Sequence, residues 1–253
     1  MNILVLLKQT FDTEERIVIE NNEINEEGVE FVINPYDEYA VEEAILQREQ
    51  HGGEITVITV GPERAESALR TALAMGADKG IVIEQEGEAD EYTISKLIAA
   101  AVKNESFDLL IGGNMAVDSG SGQVAVRVAE ELGIAHVSAI TKLATKGEKV
   151  TIERDAEGDI EVIETNLPVL VTAQQGLNEP RYPSLPGIMK AKKKPLTRLS
   201  TDDLDAYEPA APRTKVIQQY TPEKKQAGRM LEGEIKEQVK ELAQLLRMEA
   251  KVV

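Results

Sequence analysis

Four short apolar runs, separated by stretches of helical periodicity, confine this chain to an α/β fold. Residues 3–7 (ILVLL), 55–60 (ITVITV), 80–83 (GIVI) and 107–111 (FDLLI) are continuous enough for strands covered on both faces. A shorter run, residues 31–33, is closed by Asn34-Pro35, and Asp37 is placed to cap the helix that follows. In that helix Tyr39, Ala40, Ala44 and Leu46 alternate with acids until Gly52-Gly53. A second helix opens after Gly61-Pro62 and runs through Leu69, Ala72, Leu73 and Met75 to Gly76, and a third covers residues 92–102. This rhythm predicts a mostly parallel, doubly wound sheet. Such sheets bind ligands beyond the carboxyl ends of their strands. The candidate loops are therefore residues 8–10, Asn34-Pro35, Gly61-Pro62 and the segment after Ile111.

That last segment reads GGNMAVDSGSGQVAVRVAE over residues 112–130. Its small residues allow close approach of a ligand to the backbone, and Ser119 or Ser121 is suited to cap the next helix. Unsatisfied N–H groups at that helix start form an anion site fit for a phosphate. The loop is neither a GK[ST]-ended phosphate loop nor a GxGxxG fingerprint. A strand, a Gly/Ser loop and a helix also occur in α/β proteins that bind nothing there.

After Gly133 the pattern changes. Residues 134–143 are apolar, residues 149–154 and 160–164 form a hairpin across Glu157-Gly158, and residues 169–172 read as a further strand. The hairpin is expected to extend the sheet with antiparallel partners. Residues 196–230 are polar, with Pro209, Pro212 and Pro222, and read as an extended arm. A final helix over residues 234–248 lines up Ile235, Val239, Leu242, Leu245 and Leu246. That stripe packs either on its own core or on a partner. The expected division is residues 1–195 as an α/β domain and 196–253 as arm and helix.

Between them lies GLNEPRYPSLPGIMKAKKKP, residues 176–195. From Pro180 to Arg198 there are six cations (Arg181, Lys190, Lys192, Lys193, Lys194 and Arg198) and no acid, in a chain with 45 carboxylates against 28 Lys plus Arg. A positive stripe on a negative body favours a partner with a negative patch. With Leu185 held between prolines, the stretch reads as a recognition loop. It reads equally as a basic turn feeding a solvated helix.

Composition removes whole classes of chemistry. No cysteine is present, which excludes disulfides, thiolate metal sites and thiol nucleophiles. The two histidines, His51 and His136, lack metal-site spacing; His136 lies in an apolar run and is expected in the core. A net charge of -17 argues against general nucleic-acid binding. No apolar run is long enough to span a bilayer and no secretory leader is visible, so the expected location is the cytoplasm, with no membrane insertion. No Ser/His/Asp or lysine-based constellation suggests an enzyme.

Several segments together resemble the β subunits of the electron-transfer flavoprotein family. They are VLLK (residues 5–8), NPYDEYAVEEA (34–44), RTALAMGAD (70–78), AVD with GQ (116–118, 122–123), and above all LNEPRY with LP.IMKAKKK (177–194). The resemblance implies a Rossmann-like nucleotide-binding fold in a heterodimer whose α subunit carries the redox-active FAD. It implies a structural AMP in this subunit and no bond chemistry. Electrons pass from flavoprotein dehydrogenases, such as acyl-CoA dehydrogenases, to an ETF-quinone oxidoreductase. The family's AMP pattern falls on Leu6, Lys8, Asn34, Val60, Gly61 and Asp118, Ser119, Gly120, Ser121, Gly122, Gln123 and Val124. Ordinary strand packing accounts better for the side chains of Leu6 and Val60. The docking leucine corresponds to Leu185, with Pro186, Ile188 and Met189 shaping its loop. Lys190 and Lys193 fall where some relatives are methylated, and Asp155 where a flavin-domain arginine pairs.

Two alternatives compete with a simple carrier. Electron-bifurcating members hold a second FAD in place of AMP and oxidise NADH; the length of the 116–124 loop suits them, whereas the docking run does not. A stand-alone nucleotide-binding stress or signalling protein would share the topology but leave the Leu185 stretch unexplained.

Overall fold

The computed structural model describes residues 1–85, 87, 89–205, 207–208, 211–222 and 228–252. The chain begins with β1 (Asn2–Leu6) and β2 (Gln9–Phe11), then a small hairpin of β3 (Ile19–Glu20) and β4 (Glu23–Ile24), then β5 (Phe31–Ile33), which pairs antiparallel with β2. The βα rhythm follows as α1 (Pro35–His51), β6 (Glu54–Gly61), α2 (Glu66–Met75), β7 (Lys79–Glu84), α3 (Glu91–Val102), β8 (Leu109–Gly113) and α4 (Val124–Leu132). After it come β9 (Ala135–Lys146), the hairpin of β10 (Lys149–Ala156) and β11 (Asp159–Asn166), and β12 (Val169–Ala173). A short helix α5 (Leu185–Ala191), β13 (Leu196–Leu199) and α6 (Ile235–Leu245) complete the order.

Nine strands form one sheet in the order β11-β10-β9-β12-β8-β1-β6-β7-β13. From β9 to β13 every neighbouring pair is parallel, and only the β10–β11 hairpin adds antiparallel partners. β12 does not join that antiparallel edge. It returns to the middle of the sheet, between β8 and β9, where all five of its residues are buried.

Alternation along β1 explains the two-sided core. Ile3, Val5 and Leu7 pack with Val41, Ala44 and Ile45 of α1 and Leu69 and Leu73 of α2, while Leu4 and Leu6 pack with Leu97 and Ile98 of α3 and Val128 of α4. The chain progresses from β1 to β6 and β7 on one side, then crosses back to place β8 on the other side of β1. Neighbouring connections therefore diverge at the carboxyl ends of β1 and β8, which is where an open α/β sheet makes its ligand crevice.

Two compact units are present: Met1–Arg16 with Asn25–Ile217, and Ile17–Ile24 with Gln218–Val253. The boundary differs from the expected 195/196. Residues 196–199, assigned to the arm from sequence, are β13, a parallel edge strand whose Leu196 pairs with Gly80 of β7. The first unit continues to Ile217. In the second, Gln219 N–H donates to Asn22 Oδ1 at 3.1 Å, and α6 buries none of its residues. Ile235 and Val239 of its apolar stripe are exposed. Pro209 lies outside the described residues.

His136 also departs from expectation. It is exposed, because β9 is buried at only some of its positions and His136 faces the open side.

Leu110 of β8 is fully buried on the side of the sheet covered by α3 and α4. Leu110→Ala is expected to cost about 2–5 kcal/mol of unfolding free energy, read by chemical denaturation; a loss under about 1 kcal/mol would contradict close packing of β8 against the α3–α4 layer.

Candidate functional site

A cavity of about 480 Å³ opens at this crevice, within the size range of small-molecule sites. Leu6, Val60, Ile94 and Ile98 give it an apolar wall, and Gly112 to Ala116, Ser119 and Ser121 to Ala125 form the opposite side. Lys8, Asn34 and Asp37 contribute from the ends of β1 and β5.

Its floor is held by Asp37. The carboxylate accepts the Lys8 N–H at 2.7 Å and the Gly113 N–H at 3.0 Å, joining β1 to β8 just beyond their last ladder bonds. A Cβ at Gly113 would collide with Asp37 Oδ1 and the Tyr36 backbone, so this contact requires glycine. From sequence Asp37 reads as a helix cap. Instead Asn34 occupies the cap position of α1, and the Asp37 side chain serves two other segments. Burial pushes its carboxyl up to about 7, outweighing the opposing pull of the Lys8 and Gly113 N–H groups.

Asn34 fixes the loop after β8. Its Nδ2 donates to Met115 O at 2.9 Å, and its Oδ1 accepts the Val117 N–H at 3.0 Å. Both ends of the amide are used, which determines its orientation. Lys8 Nζ pairs with Asp118 at 2.7 Å. Asp118 thus reaches the site through Lys8 and is not part of the cavity wall. Gly61 and Gly120 also lie outside the wall: Gly61 O accepts the Gln85 N–H, and Gly120 N–H closes a turn onto Ala116 O. The other nine sequence-derived positions, Leu6, Lys8, Asn34, Val60, Ser119, Ser121, Gly122, Gln123 and Val124, all line it.

Neither Ser119 nor Ser121 caps α4. Gly122, at φ +60°, turns the chain first, and Gln123 takes the cap position without a side-chain bond to the first turn. Gln123 Oε1 accepts instead from Arg127, at 2.8 Å from Nη2. The leading N–H groups of α4 are thus left uncapped by any side chain at the cavity edge, the donor arrangement a phosphate needs. An apolar wall beside a Gly/Ser loop with uncapped N–H groups suits a ligand with an apolar part and a phosphate.

The second candidate surface is α5. Ser184 Oγ accepts the Gly187 N–H at 3.1 Å and starts the helix. Leu185 and Met189 are 79% and 72% exposed, and Lys190, Lys192 and Lys193 are exposed beside them. Pro186 is exposed as well, and Ile188 is partly so, bordering a shallow hollow with Thr71, Ala74 and Pro183. The stretch is helical at its tip, where a loop was expected.

Three of the six cations are committed within the fold. Arg181 binds the buried Glu42 through Nε at 2.8 Å and Nη2 at 2.8 Å, and Glu49 at 2.8 Å. Lys194 Nζ donates to Leu73 O at 2.9 Å and Ala77 O at 2.6 Å, capping the end of α2, and burial lowers its pKa. Arg198 pairs with Glu66. Asp155 lies apart, exposed at the end of β10, where it accepts the Gly158 N–H at 3.3 Å.

Residues 22–204 match the electron transfer flavoprotein domain. The chain is 59% identical over its full length, and that of the relative, to the electron transfer flavoprotein subunit beta of Bacillus subtilis. This chain belongs to the electron transfer flavoprotein family. The corresponding subunit of Syntrophomonas wolfei is 42% identical over all of this chain and 98% of its own. The caffeyl-CoA reductase-Etf complex subunit CarD of Acetobacterium woodii is 35% identical over 92% of each. Family membership makes the chain an electron-carrier subunit rather than an enzyme, and it displaces the stress or signalling alternative. Among the described residues no helix is long and apolar enough to cross a membrane, and no cluster of His, Asp or Glu could hold a metal ion.

Sequence reasoning missed Asp37, Met115, Ile94 and Ile98, and Pro212, Thr214, Lys215 and Val216, which also reach the cavity. Only the βα rhythm hinted at Ile94 and Ile98, through their helical spacing from the start of α3.

Asp37 gives the site a pH signature. Between about pH 4 and 7 the folded state keeps a proton that the unfolded chain has released, so stability falls as pH rises through that window. The slope is at most about 1.4 kcal/mol per pH unit for one such group. Asp37→Asn, which keeps only one of the two N–H bonds, is expected to be less stable at pH 5 yet to lose much of this slope. Denaturant titrations at pH 5 and pH 7 measure it; an unchanged slope in the variant would assign the effect elsewhere.

Proposed function

We propose that this chain is the β subunit of a simple electron carrier: it pairs with an α subunit, holds AMP in its cavity and presents α5 to dehydrogenases. FAD, carried mainly by the α subunit, supplies the redox chemistry when bound. The present chain binds, supports and docks. Leu6, Val60, Ile94 and Ile98 flank the adenine, while Ser119, Ser121, Gly122 and the start of α4 receive the phosphate. Electrons come from flavoprotein dehydrogenases such as acyl-CoA dehydrogenases and leave to a quinone oxidoreductase, in the cytoplasm. Asp155, at its exposed hairpin, is assigned to an arginine of the flavin-bearing subunit. The apolar stripe of α6 is assigned to the α subunit.

The observation that carries this reading is the exposure of Leu185, 79%, at the tip of a capped helix flanked by exposed lysines. A large apolar side chain presented this way loses water contact only when something covers it. Its rim of cations speeds the encounter with an acidic partner, while the apolar centre supplies affinity. Lys190 and Lys193, both exposed, are open to methylation.

The bifurcating alternative draws on CarD, a relative at 35% identity. One absorption spectrum of the purified heterodimer separates the two. One flavin per dimer with AMP released on denaturation supports the simple carrier; two flavins overturn it.

Leu185→Ala is expected to slow electron transfer from the dehydrogenase by tenfold or more, on the order of the 1–2 kcal/mol of a central anchor, with the flavin content of the dimer unchanged. Unaltered stopped-flow kinetics would remove the docking role. Replacing Lys192 and Lys193 by Gln, with Lys194 kept because it caps α2, is expected to lower the association rate most at low ionic strength. A salt-independent loss would indicate damage to the fold rather than to steering.

A further inference from the structure

Residues 212–216 run across the cavity as an exposed strap, with Pro212, Thr214, Lys215 and Val216 on its wall. The strap is fastened by Asp90. One carboxylate oxygen of Asp90 accepts the N–H of Arg213 at 2.7 Å, the N–H of Thr214 at 2.9 Å and the Thr214 hydroxyl at 3.1 Å. The other oxygen accepts the Thr93 N–H at 3.0 Å and caps α3. Arg213 adds a second fastening, its guanidinium 3.7 Å above the Tyr92 ring.

Charge within the cavity then singles out one residue. The charged side chains on its wall are Lys8, Asp37, Asp90, Glu91 and Lys215. Lys8 is neutralised by Asp118, whereas Lys215 has no ion-pair partner among the described residues. An anionic ligand needs a counter-charge that is not already spent.

We infer that Lys215, carried on a strap latched to α3 by Asp90, provides the counter-charge for the phosphate of a nucleotide in this cavity. This rests on the nucleotide reading of the cavity and deepens it. The latch sets how long the nucleotide stays, and the lysine sets the preference for a phosphorylated ligand over a nucleoside. Burial raises the Asp90 carboxyl, but its N–H donors prevail and hold it well below the usual carboxylate range, so the fastening is ionised at neutral pH.

The test uses the purified heterodimer with bound nucleotide removed by dialysis, and measures AMP and adenosine affinity by calorimetry. Lys215→Ala is expected to weaken AMP about tenfold, as for one lost charge-assisted bond, and to leave adenosine unchanged; Lys215→Arg restores AMP. Thr214→Pro removes two strap bonds without touching the Asp90 cap of α3, and is expected to weaken both ligands and speed their release. Should Lys215→Ala bind AMP as the unaltered protein does, the counter-charge assignment falls. Should Thr214→Pro release both ligands at unaltered rates, the latch falls. If the unaltered heterodimer binds neither AMP nor adenosine, the nucleotide reading itself fails and takes the strap with it.

Discussion

Much of this structure hangs on one buried carboxylate. Asp37 sits below the crevice and accepts backbone N–H groups from Lys8 and Gly113, which belong to segments on either side of the switch point. Burying a carboxylate is costly unless donors surround it, and its pKa of about 7 records a cost only partly offset. In return the ends of β1 and β8 keep a fixed separation. Asn34, just before α1, extends the same fastening to Met115 and Val117. A helix that packs on one face of the sheet thus also fixes the loop at its end.

That arrangement explains why the strand repeat was legible while the site was legible only in part. Runs such as ILVLL and ITVITV carry no charged residue and are rich in β-branched side chains, so their strand identity is local information. The Gly/Ser loop is equally visible in composition. Asp37 is different: Asn-Pro-Tyr-Asp reads locally as a cap, and its real partners lie 29 and 76 residues away. β13 hid for another reason. Its two leucines, Leu196 and Leu199, are three residues apart and reach opposite faces of the sheet, so no alternation marks the strand, and LTRL after a lysine run looks like linker. The strap at residues 212–216 has no periodicity at all, and Asp90 and Tyr92 at the start of α3 give it a place.

The basic stretch divides by the same logic. Composition shows six cations in 19 residues but not which are free. Arg181, Lys194 and Arg198 find carboxylates or carbonyls of α1 and α2 and hold the segment down. Lys190, Lys192 and Lys193 remain exposed on the segment so held. A field that steers a partner therefore comes from half of the charges the sequence advertises, and screening at physiological salt confines it to about 8 Å.

Rigidity is what separates a docking helix from a mobile tail. A seven-residue helix has too few bonds to persist alone, so α5 must take its order from α2. Gly187 allows that approach, because a Cβ there would stand 2.5 Å from Ala74 O. Arg70 Nη1 then reaches Ala191 O at 2.9 Å, and Lys194 closes the end of α2. Leu185 is presented by a helix capped by Ser184, packed on α2 at Gly187 and tied by Arg70 at its carboxyl end, so the ordering entropy of the anchor is lost during folding rather than at the encounter. For a carrier that must bind and release quickly, this matters more than area: the contact stays small, and dissociation is not slowed by a large buried interface.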